Sequence, residues 1–233
     1  MDDTLFAQLI TAAPPLWGYQ TRALKGMWDG EKNQRGCRIA SDTNFNSWHD
    51  MSGNGNDLPH YNSNNVGILK HSVQFVGNTS YGIATDSALG AGTPWTMEIC
   101  LRGLDTSTAA NTVFRMGSAN SANRDIFFKA TRTKIGHGTW GSITWTTVSE
   151  GVHTASLVAD ATVQRFYIDG TLVKTLTRSY VGTGKFLWLG ASYNASSGFE
   201  GLIFNARVYQ SALPDADIAR NYRIDRARFR SGT

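Results

Sequence analysis

The stretch Trp95-Thr96-Met97-Glu98-Ile99-Cys100-Leu101-Arg102 alternates bulky apolar side chains with smaller or charged ones. In an extended chain successive side chains point to opposite sides, so Trp95, Met97, Ile99 and Leu101 share one face. Glu98 and Arg102 share the other and are expected to look outward, as in a half-buried antiparallel strand. Cys100 is then half-buried in that strand, and Cys37, far away in sequence, is a second free thiol.

Period-two patterns continue on both sides of this stretch from residue 72 onward. Strands are expected at 111–117, 124–130, 142–148, 152–159, 164–168, 171–176, 185–190 and 199–210. The turn signals between them recur at the roughly 8–12-residue spacing of a β-sandwich. Asp169-Gly170, between Phe166-Tyr167-Ile168 and Leu172-Val173, marks a two-residue hairpin whose turn needs positive φ at both positions. At the end the period changes. Pro214 suits the first turn of a helix that places Ile218, Ala219 and Tyr222 on one face.

Composition agrees with this reading. A chain of 233 residues, 41% hydrophobic, is too long for a disulfide-stapled mini-protein and too apolar to be disordered. Its two cysteines exclude a disulfide scaffold. Charged residues, at 17%, fall below the roughly 25% of ordinary domains, while Gly, Thr, Ser and Asn abound. Residues 1–24 form an N-terminal arm in which Asp3 or Thr4 caps a short helix over Leu5, Phe6, Leu9 and Ile10, stopped by Pro14-Pro15. Residues 25–233 form one domain. Within it, 26–66 reads as irregular chain with a dense turn cluster from Ser52 to Asp57.

The net charge of +4 sits mainly at the C-terminus, on Arg220, Arg223, Arg226, Arg228 and Arg230. The body is close to neutral and shows no basic stripe interleaved with aromatics, so specific nucleic-acid binding is not expected. A basic tail docking an acidic neighbour is expected instead. No apolar run reaches the ~18 residues of a membrane span. The Leu5–Ile10 stretch, behind an acidic N-terminus, is too short for a signal peptide.

Four motifs in order then carry a family resemblance. Trp48-His49-Asp50-Met51-Ser52-Gly53-Asn54-Gly55-Asn56-Asp57-Leu58 resembles the "W-x-D-x-S-G-N-G-N-D" opening of concanavalin A-like, laminin-G-like domains. The preceding Gly26-Met27-Trp28-Asp29-Gly30-Glu31-Lys32-Asn33 is similar to the stretch before that opening. Phe166-Tyr167-Ile168-Asp169-Gly170 matches the "Y-x-D-G" hairpin. Phe199-Glu200-Gly201-Leu202-Ile203, with Arg207-Val208-Tyr209 and Ala212-Leu213, resembles the closing motif. The resemblance implies an all-β, two-sheet antiparallel jelly-roll sandwich whose opening and closing segments lie together on edge strands. It also implies a setting in surface proteins of gut bacteria or virion proteins of their phages, the latter favoured by the short arm. Where the family carries "F-D-G-x-D-D-Y", with acidic residues that serve calcium, this chain has Phe75-Val76-Gly77-Asn78-Thr79-Ser80-Tyr81. All three carboxylates are missing, and calcium favours sites with several, so no cofactor is expected and calcium is not expected there.

Chemistry-bearing constellations are few. A retaining glycosidase needs two carboxylates about 5 Å apart, and no strand carries such a pair: Glu98 stands alone on its strand, and Glu150 and Glu200 lie in turn or edge positions. A lyase would need a basic Tyr/His pair, for which only His137 and Tyr193 could be named. The histidines at 49, 60, 71, 137 and 153 show no metal spacing. Asp50, Asn54, Asn56 and Asp57 could gather round a cation but read as turn chemistry. The chain is therefore not expected to be an enzyme. Sugar binding needs an exposed aromatic with polar neighbours. Trp140, inside a Gly-flanked turn with His137, and Tyr193 with Asn194 in a second loop supply these, giving the candidate ligand site. Trp145, and Trp48, Trp95, Trp188, Phe75 and Phe204, are expected in the core.

The resulting expectation is a non-catalytic jelly roll acting in adhesion by binding a bacterial surface glycan, in a virion or cell-surface assembly outside the cell. Its arm and basic tail would contact other subunits. The alternative is a structural decoration module of a phage capsid or tail with no glycan ligand.

Overall fold

The computed structural model describes residues 18–31, 47–59, 66–77, 81–84, 94–107, 112–117, 126–139, 142–160, 162–177, 186–190 and 198–229. Among these, two antiparallel sheets face each other. The larger contains β1 (Leu24–Asp29), β4 (Val66–Ile68), β5 (Val73–Val76), β7 (Trp95–Gly103), β12 (His153–Ala159), β13 (Val163–Ile168), β14 (Thr171–Thr177) and β16 (Glu200–Tyr209). Its order is β14-β13-β12-β7-β16-β5-β4, with β1 also paired to β16. The smaller sheet contains β6 (Tyr81–Ala84), β8 (Thr112–Gly117), β9 (Ile126–Ala130), β10 (Lys134–Thr139), β11 (Ser142–Thr147) and β15 (Phe186–Leu189) in the order β11-β10-β9-β8-β15-β6. A two-stranded ribbon, β2 (Ser47–Trp48) and β3 (Leu58–Pro59), brackets the Asn/Gly loop, and one helix, α1 (Asp215–Phe229), follows the last strand. This is the expected jelly-roll sandwich.

The opening octapeptide lies at its centre. Trp95, Met97, Ile99 and Leu101 are buried between the sheets with Phe114, Phe128, Phe166, Leu187 and Leu189. Trp48, Phe75 and Trp95 lie in the inter-sheet core, as expected, and Phe204 is buried in a separate cluster with Phe229. Trp188 is also buried, but on the outer side of the six-stranded sheet and not in the core expected for it. The hairpin is also as read, with φ of 53° at Asp169 and 73° at Gly170. The chain-opening strand β1 does pair with the closing strand β16, but β16 is no edge, since it is flanked by β7 along its length and by β1 and β5 on the other side. β1 escaped the period-two reading because both its faces are covered: Trp28 enters the inter-sheet core, and Met27 packs in a second cluster with Tyr209 and Ile218.

The second cluster marks the main departure. Glu98 does not face water. It is fully buried beneath α1, which roofs the outer side of the eight-stranded sheet. Cys100, expected half-buried, is likewise 1% exposed, among Val152, Phe204 and Phe229. Pro214 precedes the helix, Asp215 and Asp217 lie in its first turn, and Arg226 and Arg228 in its last, each complementing the helix dipole. Its buried stripe is Ile218, Asn221, Asp225 and Phe229, at helical spacing. Ala219 and Tyr222 flank that stripe half-buried. The expected helix over Leu5 to Ile10 lies outside the described residues. The residues that follow it pack on α1: the Tyr19 hydroxyl donates to Asp225, and Gln20 bonds Asp217 and Asn221.

Candidate functional site

Of the residues proposed for ligand binding, Trp140, Tyr193 and Asn194 lie outside the described residues. His137 is described, and its position corrects the expectation of a surface role. It lies within β10 rather than a turn, is 1% exposed, and stacks on Phe166 of the opposite sheet with ring centroids 4.2 Å apart. Ile135, two residues earlier, is buried in the same inter-sheet core, so odd-numbered positions of β10 point inward.

That alternation decides what lies on the other side. Gly136 and Gly138 face outward, and Gly136 is paired with Trp145 of β11. A methyl group on Gly136 would come within 2.8 Å of Trp145 Cε3 and 2.9 Å of Ile143 Cγ2. Trp145 thus lies across the glycine on the outer face of the six-stranded sheet. It is half-buried there, not in the core where the sequence reading put it. Gly136 is thus the floor on which the Trp145 indole lies.

The same register assembles its neighbours. Lys129 of β9 is paired with Gly136, and Phe128 beside it points inward against Phe166, so Lys129 is outward. Burial lowers the Lys129 ammonium below the usual lysine range. Phe114 packs inward on Phe128, so Arg115 is outward, directly opposite Trp188 of β15. Arg115 and Trp188 are buried, whereas Lys134, next to inward Ile135, is exposed.

Beneath α1, on the eight-stranded sheet, a cluster of charges is sealed. Arg207 donates through Nε to Glu98 at 3.0 Å and through both terminal nitrogens to Asp225 at 2.8 Å. Glu98 also accepts from Ser156 and Asn221, and Asp225 from Tyr19, Asn205 and Thr154. Desolvation pushes the Glu98 carboxyl up despite Arg207, while Arg207 and its other donors hold Asp225 down. Arg228 extends the cluster to Asp29 and Glu31. The carboxylates and guanidinium of this cluster are paired and covered by α1, so they seat the helix and offer no acid or base to a solute. Asn221 and Asp225 were missed because polar residues in an apolar stripe look like its edge. Their spacing from Ile218 and Phe229 was the available signal.

The Asn/Gly loop is built by turn chemistry. Asp50 accepts from the amides of Met27, Ser52 and Asn56 and from the Ser52 hydroxyl, and Asp57 accepts from the Asp50 amide and contacts His49 Nδ1 at 2.6 Å. Asn54 and Asn56 donate to the carbonyls of Leu24 and Lys25. Among the described residues no group of three or more His, Cys, Asp or Glu side chains is arranged to hold a metal ion, and no helix is long and apolar enough to cross a membrane.

The family model of the concanavalin A-like lectin/glucanases superfamily, in its laminin-G form, matches residues 76–219. No curated protein matches the chain. Solved structures do. The Trypanosoma rangeli sialidase aligns with a TM-score of 0.66 at 10% identity, over 86% of this chain and 32% of its own, so the chain spans about a third of that enzyme. Domain 4 of the extracellular arabinanase AbnA from Geobacillus stearothermophilus, solved with arabinotriose, aligns with a TM-score of 0.58 at 14% identity over 85% of this chain and 98% of its own. The CBM40 of the Ruminococcus gnavus IT-sialidase, bound to α2,3-sialyllactose, aligns with a TM-score of 0.52 at 16% identity over 65% and 96%. At these identities the likeness is one of fold.

Proposed function

Because this chain belongs to the concanavalin A-like lectin/glucanase superfamily, we propose that it is a non-catalytic carbohydrate-binding jelly roll, with the outer face of its six-stranded sheet as the binding platform. The observation that carries this reading is Trp145, half-buried across Gly136 on that face. An indole held against a glycine floor presents a ring to the apolar side of a pyranose at little conformational cost. On the opposite sheet α1 covers the strands that carry Glu98 and Arg207. A binding role without catalysis is supported by the carboxylates at the centre of the fold, Glu98 and Asp225, being fully occupied under that helix.

The setting we propose is adhesion at a virion or cell surface, with a bacterial surface glycan as partner. Trp140, Tyr193 and Asn194 remain proposed as rim contacts. Of the basic tail, Arg228 is committed internally to Asp29 and Glu31, whereas Arg220, Arg223 and Arg226 are exposed on α1 and are the cations proposed to meet neighbouring subunits. A glycan array probed with the wild type and Trp145→Ala tests the proposal. Saccharide binding that disappears in the variant, at unchanged melting temperature, is the expected result. Binding undiminished by the substitution refutes the platform, and an empty array refutes the lectin reading.

A further inference from the structure

We infer that the outer face of α1 docks a carboxylate-rich polypeptide segment through a row of three arginines, Arg220, Arg223 and Arg226. This rests on the reading of those cations as meeting neighbouring subunits and adds the chemistry of the partner. All three are exposed, and among the described residues none of them enters a hydrogen bond or an ion pair. Successive members stand three residues apart, so each lies about 4.5 Å further along the helix and is turned by about 60°. They form one oblique row about 9 Å long. Exposed Ala216 and Ala227 flank it.

The arginines around this row are answered from within the chain. Arg207 is matched by Glu98 and Asp225, Arg228 by Asp29 and Glu31, and Arg165 by Asp215. The helix's own acids serve other partners. Asp215 accepts from Arg165 and Tyr167, and Asp225 is buried. Asp217 stands one turn before Arg220, where an ion pair along the helix could form, yet its carboxylate accepts from Gln20. The helix is also fixed in place. Asn221 and Asp225 are hydrogen-bonded into the cluster beneath it, and Ile218 and Phe229 are packed, so the backbone that presents the row has little freedom left to lose on binding. A rigid row of forked donors suits planar carboxylates, each of which an arginine can hold with two parallel hydrogen bonds.

Two other anionic partners fit the face less well. Single-stranded nucleic acid stacks its bases on aromatics along a groove. The aromatics of α1 are turned away from the row: Phe229 is buried, and a methyl group on Gly170 of the hairpin would lie 3.0 Å from Tyr222 Cδ1. A helix on a lipid surface buries a bulky apolar stripe among the head groups. Here that stripe, with Ile218 and Phe229, is occupied by the protein's own sheet, and the exposed flanks of the row are alanine.

The experiment titrates the full chain with a labelled peptide of about twelve residues bearing Glu at every third or fourth position, with its Gln counterpart, with oligo(dT) and with phosphatidylserine vesicles. Wild type is compared with Arg220→Gln/Arg223→Gln and with Lys134→Gln/Lys174→Gln, which removes the same charge from exposed strand positions. Glutamine keeps the helix propensity of arginine, so the melting temperature and glycan binding through Trp145 should not change in the arginine variant. Exposed ion pairs each contribute a factor of up to about five. Expected are binding of the Glu peptide at least roughly five-fold tighter than the Gln peptide, and loss of that preference in the arginine variant alone. Weakening as salt rises from about 0.05 to 0.5 M is also expected. Equal binding of both peptides, weakened in the arginine variant, would leave a subunit contact on α1 and overturn its acidic chemistry. No peptide bound, or binding weakened as much in the lysine variant, would overturn the inference and the subunit reading together. Oligo(dT) or vesicles bound more tightly than the Glu peptide would assign the row to another polyanion and overturn the inference.

Discussion

Replacing Asp225 by Ala is the sharpest probe of how the fold closes one of its two faces. The carboxylate accepts five hydrogen bonds: from the Tyr19 hydroxyl at 2.6 Å, Asn205 Nδ2 at 2.8 Å, both terminal nitrogens of Arg207 at 2.8 Å and the Thr154 hydroxyl at 3.0 Å. Arg207, wholly buried, would keep only Glu98 as its counter-ion. Removing one partner of a buried pair costs about 3–5 kcal/mol, because the remaining charge cannot return to water. With a urea dependence of about 3 kcal/mol per molar, the unfolding midpoint falls by about 1–1.7 M. Asp225→Asn keeps an acceptor but not the charge and is expected near half that shift. In both variants limited proteolysis should cut within α1 before the strands, since the helix is held largely by this cluster. A shift under about 0.3 M in the alanine variant would show that the cluster is not the helix's anchor and would refute the reasoning.

The pH dependence of stability should show two opposed limbs. Asp225 is held below its unfolded value, so its contribution is present above about pH 3.8 and lost as pH falls through the lower folded value. Glu98 is pushed above its unfolded value, so its contribution is complete below about pH 4.5 and lost as pH rises through the folded value; melting scans of Glu98→Gln should lack this upper limb. Gly136→Ala would drive a methyl group to 2.8 Å from Trp145, so a cost of about 1–3 kcal/mol is expected, with shifted indole fluorescence and weakened glycan binding. Asp169→Ala places alanine at a φ of 53° and removes the acceptor of the Thr154 amide and His153; at about 2 kcal/mol the melting temperature should drop about 4–8 °C, and Asp169→Asn should lose less than half of that. Cys100, 1% exposed beneath α1, should react with a thiol reagent only once the protein unfolds.

The alternation of Trp95 to Leu101 was legible because one face of β7 meets a purely apolar layer. The Asp169-Gly170 hairpin was legible because its positive φ values restrict residue choice. Glu98 was misplaced for a related reason. Period two says that a residue points away from the core, and it cannot say whether a helix more than a hundred residues later covers that side. The roof itself was half visible. Its apolar members Ile218 and Phe229 kept helical spacing, but Asn221 and Asp225 between them removed the amphipathic signature, since the helix packs on a charged sheet face. On the site, local signals misled twice in one segment. The glycines flanking Trp140 suggested a turn that took His137 to the surface with it, whereas Gly136 and Gly138 are the outward positions of a strand that buries His137, and Gly136 leaves room for Trp145. A glycine in a strand has two readings, turn or close approach, and only the partner strand decides between them.

α1 can close the eight-stranded sheet because the charges beneath it are compensated from within. A helix can cover a sheet only if the charges it buries find partners, and Glu98 and Arg207 meet that condition through Asn221 and Asp225. On the six-stranded sheet no helix of that kind lies among the described residues, and over Gly136 that sheet keeps Trp145 half-buried, an indole within reach of a solute. A ligand is therefore sought beside Trp145 and not over Glu98, whose side of the fold is already occupied by α1.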